Sequence, residues 1–163
     1  MLATGHEVQF RILRDTYSNF DQVLALIRLP SRWGGNDNVI LPVGILNDTG
    51  STLQTVFDND LVLLRYNPQT YQGNMGQLYV QTANGVAGRQ WVLVEMQLRK
   101  PDGTPAASDW FVEMGVITPF GPAPVRLSGT ELRSQLYFAT APGNQTLYVA
   151  QKKNGIISQL PVV

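Results

Sequence analysis

Apolar and polar positions along this chain follow mainly the period of two that marks β-strands, broken at short intervals by turn-forming residues. Val8, Phe10 and Ile12 alternate with Gln9, Arg11 and Leu13, the pattern of a half-buried strand. Residues 23–29 (VLALIRL) and 39–46 (VILPVGIL) are more continuously apolar, which predicts strands covered on both faces. Between them, residues 30–38 hold Pro30, Gly34, Gly35 and the run Asn36-Asp37-Asn38, a loop by composition. Residues 53–57 and 61–64 read as short strands on either side of the turn-rich Asp58-Asn59-Asp60. Residues 78–82 and 90–98 flank Ala83-Asn84-Gly85-Val86-Ala87-Gly88, and the pattern predicts a hairpin with a glycine-containing tip. A turn at 101–103, a strand over 110–118 and the Pro/Gly-rich stretch 119–124 follow.

One helix is predicted, near residue 130. Thr130 or Ser128 is its expected cap, Glu131 lies in the first turn, and Leu132 and Leu136 share a face. Residues 147–150 and 156–160 then read as strands around a Lys152-Lys153-Asn154-Gly155 turn. The expected fold is a single all-β or mostly-β domain over residues 1–163, with one short C-terminal helix.

Composition narrows the chemistry. Charged residues make up only 15% of the chain, so its surface leans on neutral polar groups. Twelve basic residues balance 12 acidic ones, and with no basic excess neither nucleic acid nor an anionic membrane is expected as a partner. No apolar run approaches the ~20 residues that span a bilayer. The N-terminus lacks the apolar core of a signal peptide, so an intracellular, cytoplasmic location is expected. The absence of cysteine removes disulfides, thiolate metal sites and cysteine nucleophiles, and a single histidine, His6, nearly excludes a zinc site. No metal and no cofactor are expected. Carboxylates, hydroxyls and the backbone are left to carry any reaction.

The stretch that focuses those groups is Val43 to Phe57, in which an apolar strand runs into Asp48-Thr49-Gly50-Ser51. Such a turn presents Asp48 at the end of a strand, with Gly50 permitting a tight path and the Thr49 and Ser51 hydroxyls placed to hold the carboxylate. The same four residues also make an ordinary β-turn, since Asp, Gly and Ser are common turn formers. Ser51 and Ser128 have no histidine partner that would make either a nucleophile. Trp33, Trp91 and Trp110 are candidates for a peptide pocket, although aromatics on strands more often serve the core.

Asp48-Thr49-Gly50 after an apolar strand resembles the catalytic signature of aspartic proteases. The order of the remaining pieces resembles the retropepsin branch, the single-domain proteases of retroviruses and retrotransposons, and is similar to retropepsin-like sequences found in fungal genomes. Residues 79–86 (YVQTANGV) resemble the flap hairpin of that family, and residues 125–133 (VRLSGTELR) sit where it has a strand, a glycine and a short helix. The likeness runs roughly from residue 23 to residue 150.

The resemblance implies a closed acid-protease-type β-barrel and an aspartic endopeptidase that takes extended peptide or protein substrates. Asp48 would be catalytic, Thr49, Gly50 and Ser51 would support it, and Ala83, Asn84, Gly85 and Val86 would form the flap over the substrate. Two carboxylates sharing one proton are needed for that reaction. The chain holds one Asp-Thr-Gly, so the family's chemistry requires a homodimer in which two Asp48 residues meet. Terminal strands around 7–13 and 156–163 are the expected dimer sheet. The alternatives are a catalytically inactive retropepsin-like module that dimerises or binds peptides, and an unrelated β-sandwich or capsid-like domain in which the turn is only a turn.

Overall fold

A computed structural model describes residues 8–9, 22–82, 84–100, 102–106, 109–140, 147–150, 153–158 and 160. In chain order the elements are β1 (Val8–Gln9), β2 (Gln22–Arg28), β3 (Ile40–Leu46), β4 (Gln54–Phe57), α1 (Asp58–Leu63), β5 (Asn74–Thr82) and β6 (Gly85–Leu98). They continue with β7 (Phe111–Thr118), α2 (Thr130–Ser134), β8 (Tyr137–Thr140), β9 (Leu147–Ala150) and α3 (Lys153–Ile157). The chain is mostly β.

The larger sheet runs β3-β2-β6-β7-β4, with β5 folded back on β6. Its pairs are antiparallel except β4 with β7, which is parallel. Strand β2 buries Val23, Ala25 and Ile27 and leaves the alternate positions half-covered, so the expectation of burial on both faces gives way to a one-sided strand. Full burial falls instead on all four residues of β4 and on Val94 to Leu98 of β6. Val56, Val92, Val94, Met96 and Leu98 from those strands join Val23, Ile27 and Ile45 in the core, and Leu132 of α2 packs into it.

Strand pairing leaves β3 and β4 at the two ends of this path, so the paired strands form an open sheet where a closed barrel is expected. Residues 126–128 lie between those ends without forming a strand. Leu46 N–H donates to Arg126 O at 2.7 Å, Ser128 N–H donates to Leu46 O at 3.0 Å, and Thr55 N–H donates to Leu127 O at 3.0 Å. The smaller sheet has the order β1-β9-β8, with β1 paired to β9 of the same chain.

Among the described residues, three short α-helices replace the single helix expected. Residues 61–64 form part of a helical segment and not a strand. Asp58 and Asp60 lie in the first turn of α1, where they favour the positive end of the helix dipole, and the Asp60 carboxylate reaches back to accept Phe57 N–H at 2.8 Å. Leu61 and Leu64 are buried while Val62 and Leu63 are exposed, a three-residue spacing that alternation does not produce. Arg126 donates to both Asp60 carboxylate oxygens at 2.7 Å and lies over the Phe57 ring, so this helix start is fastened to the segment beside β3. Residues 153–157, expected as a turn entering a strand, form α3 and bury Ile156.

The hairpin is tighter than expected. Thr82 pairs with Gly85, leaving a two-residue connection, and Val86 to Gly88 belong to β6 and not to the tip. Gly85 has φ of 109°, a conformation that favours glycine. Of the terminal strands expected in a dimer sheet, only Val8–Gln9 and residues 156–158 and 160 fall among the described residues, and of the latter Ile156 and Ile157 close α3. None of the helices among the described residues is long and apolar enough to cross a membrane.

Candidate active site

Strand β3 delivers the chain into the Asp48 turn, and three groups from far along the sequence hold it. Asp48 N–H donates to Ser128 Oγ at 3.1 Å, and Ser128 Oγ approaches Asp48 O at 3.3 Å. Arg133 Nη1 donates to Asp48 O at 2.6 Å, and to Ser128 O and Oγ at 3.0 Å each, while its Nη2 donates to Ser51 O. Thr130 N–H and Oγ1 both donate to Thr52 O, at 3.2 and 3.1 Å. The loop is thus clasped on its backbone by α2 and the residues just before it, and a planar guanidinium suits that task because it presents several donors in a fixed fork.

Within the loop, Ser51 N–H donates to Asp48 O at 3.3 Å, closing a β-turn. Gly50 N–H donates to the Asp48 carboxylate at 2.8 Å, the short-range bond of an Asx turn. The Asp48 carboxylate is therefore positioned by a backbone amide. Ser51 Oγ donates to Leu53 O at 2.8 Å, and Thr49 is exposed, so the expected grip of those two hydroxyls on the carboxylate is replaced by the Gly50 amide and the Ser128–Arg133 clasp.

Above this floor lies a cleft of about 490 Å³. Asp48, Gly50, Ser51, Thr52 and Leu53 form one wall, and Thr55, Val116, Thr118, Val125 and Leu127 extend it. Val80, Gln81, Thr82 and Arg89 of the β5–β6 hairpin face them across the cleft. No family model matches the chain, and no curated protein matches it either.

The structure unites Asp48, Gly50 and Ser51 with the hairpin arms. Thr49 belongs to the same loop but does not line the cleft. Asn84, Gly85 and Val86 form the hairpin end beyond the lining residues, and Ala83 lies outside the described residues. Trp91 and Trp33 also stand away from the lining, and Trp110 carries the Arg28 guanidinium 4.1 Å from its ring centre. That guanidinium, with Arg32, neutralises the buried Glu95 carboxylate at 2.6 Å, a structural network remote from the cleft lining. Ser128, weighed as a helix cap and as a nucleophile, is fully buried and serves the Asp48 backbone; Gly129 is the residue at the N-cap of α2.

A second carboxyl supports the clasp from below. Glu113 on β7 is completely buried and accepts Leu132 N–H at 2.7 Å and Met114 N–H at 3.0 Å. Burial raises its pKa above the ordinary carboxyl range, while the amides of Leu132, Met114 and Glu131 pull the other way. Its carboxyl packs so closely on Gly129 that a Cβ there would lie 2.4 Å from it. Glu113, Ser128 and Arg133 thus form a chain of support from sheet to helix to Asp48. Among the described residues, Asp48 itself is the sole carboxylate lining the cleft. A lone carboxylate can act as base towards a water, but it cannot at the same time protonate the carbonyl that the water attacks. Among the described residues, no group of three or more His, Asp or Glu side chains is placed to hold a metal ion.

Proposed function

We propose that this chain is an aspartic endopeptidase of the retropepsin type, active as a homodimer on extended polypeptides. The observation that carries the reading is the placement of Asp48. Its backbone is clamped by Ser128 and Arg133, its carboxylate is oriented by Gly50, and it lies in a cleft faced by a β-hairpin. Rigid backbone support of this kind is what an acid–base carboxylate needs, because proton transfer tolerates little misplacement.

In the proposed dimer, the two-fold axis brings Asp48 of each copy together and the pair shares one proton. The ionised carboxylate takes a proton from water as the water attacks the scissile carbonyl, and the protonated one donates to the carbonyl oxygen. Collapse of the tetrahedral species returns a proton to the leaving amine. The β5–β6 hairpin holds the substrate as an added extended strand.

Digestion of a denatured polypeptide tests this. Cleavage is expected at mildly acidic pH, with a dimer in sedimentation, inhibition by a statine-type transition-state analogue, and complete loss in Asp48→Asn without loss of folding. Full activity in Asp48→Asn would refute the proposal. A folded wild-type dimer that binds peptides and never cuts them would assign the chain to the inactive, peptide-binding reading instead.

A further inference from the structure

Among the described residues, Arg89 is the single cation lining the cleft, and its side chain makes no ion pair or hydrogen bond with them. Three other arginines of the chain, Arg28, Arg32 and Arg126, are neutralised by carboxylates at 2.6–2.7 Å. The hairpin register explains where Arg89 points. Cross-strand partners share a face of a β-ribbon, and the pairs here are Leu78 with Arg89, Val80 with Ala87, and Thr82 with Gly85. Val80, Thr82 and Arg89 line the cleft, and Leu78, Val80, Ala87 and Arg89 are half-buried, so this is the face turned towards Asp48, although Gln81 of the other face also borders the cleft. The opposite face carries Tyr79 and Val86, which are 77% and 68% exposed. Arg89 is half-buried on the inner face, with its fork of donors presented to whatever fills the cleft.

We propose that Arg89 is a specificity-determining residue that selects a carboxylate on the bound peptide, so that the cleft prefers acidic segments. Apart from the Gln81 amide, the remainder of the lining is hydroxyl-bearing (such as Ser51, Thr52 and Thr118) or apolar (such as Leu53 and Val116), and supplies no anion other than Asp48 to compete for the guanidinium. The deduction rests on the cleft being a peptide site, as proposed above. In the dimer the logic is reinforced, because two Asp48 residues sharing one proton carry one negative charge against the two positive charges of two Arg89 side chains. The carboxylate recognised is that of a Glu or Asp side chain or the free end of a peptide, and a guanidinium binds either in the same bidentate manner.

The test uses synthetic peptides of one apolar parent sequence in which Glu, Gln or Lys is scanned through each position, each made with a free and an amidated C-terminus. Cleavage by the wild-type protein is followed by mass spectrometry, and binding to the Asp48→Asn protein by fluorescence anisotropy. We expect Glu peptides to exceed Gln peptides about tenfold in kcat/KM or in affinity, since charge-assisted hydrogen bonds are worth roughly one such decade or more. The preference should shrink as salt rises. Arg89→Glu should reverse it in favour of Lys, and Arg89→Gln should abolish it. A gain confined to free C-termini would locate the carboxylate at the chain end, and a gain independent of the terminus would locate it on a side chain. Charge-selective binding without any cleavage would support Arg89 as the selector while removing the protease reading. Equal handling of Glu, Gln and Lys peptides, or a profile unchanged in folded Arg89→Glu, would overturn the inference.

Discussion

Replacing Arg133 by Met isolates the clasp on the Asp48 loop, because Met keeps an apolar stem in place and removes every donor. The guanidinium serves three backbone carbonyls, those of Asp48, Ser51 and Ser128, together with Ser128 Oγ. Hydrogen bonds from a charged donor are worth about 1.5–3 kcal/mol each when fully buried. Arg133 is only half-buried, so water takes over part of each bond and about 1 kcal/mol per carbonyl is a fairer value. The sum is a loss of about 3 kcal/mol, which for a chain of this size lowers Tm by roughly 6–12 °C. Calorimetry measures that directly. Amide exchange at Ser51, whose N–H closes the turn on Asp48 O, should accelerate in the variant. In the protease reading kcat falls at least about tenfold while KM changes little, the signature of a misplaced acid–base group. Arg133→Lys should recover only part of the loss, since one ammonium cannot span the same set of oxygens. A Tm within about 1 °C of wild type, with unchanged exchange at Ser51, would refute this account of how the loop is held.

Two further outcomes concern the support beneath the clasp. Glu113 has a folded-state pKa raised by burial, so its contribution to stability is fully present below the unfolded carboxyl pKa and is lost as pH rises through the folded value. The stability of wild type minus that of Glu113→Gln, from urea unfolding across mildly acidic to neutral pH, should therefore fall as pH rises; a flat difference would contradict it. Gly129→Ala should cost about 3 kcal/mol, because the new methyl group would meet the Glu113 carboxyl at 2.4 Å and force it off Leu132 N–H. Gly129 has an ordinary φ of −84°, so the cost is steric, and Glu113→Ala in the same chain should relieve much of it.

What was legible in the sequence was local. Apolar runs bounded by turn residues placed β2, β3 and β7 to within a residue or two and the second half of β6, and the glycine-containing segment marked the hairpin, because a strand and a tight turn are each written in neighbouring residues. Helix α1 escaped because an apolar run of four, Leu61 to Leu64, suits either period, and the deciding signal was Asp60 reaching back to Phe57. Helix α3 escaped because Asn154-Gly155 usually breaks a helix, yet here it precedes the buried Ile156. The Asp48 turn was also visible, but what holds it was not. Ser128 and Arg133 lie 80 and 85 residues downstream of Asp48, and no spacing rule relates them. Arg89 was hidden in another way. It is an ordinary charged residue on an alternating strand until the register with Leu78 shows which face it occupies.

That 80-residue separation also fixes an order of events as the chain folds. The β2–β3 and β5–β6 pairs join segments close in sequence and can form early, whereas the Asp48 turn gains its partners only when residues 126–133 arrive between β3 and β4. A chain emerging from the ribosome carries its aspartate for several seconds, at about 5–20 residues per second, before the clasp can close. Pulse-labelled exchange during refolding should accordingly find Asp48 N–H among the last amides protected. The carboxylate proposed to cut polypeptides is thereby withheld from working order until residues 126–133 have been made and docked.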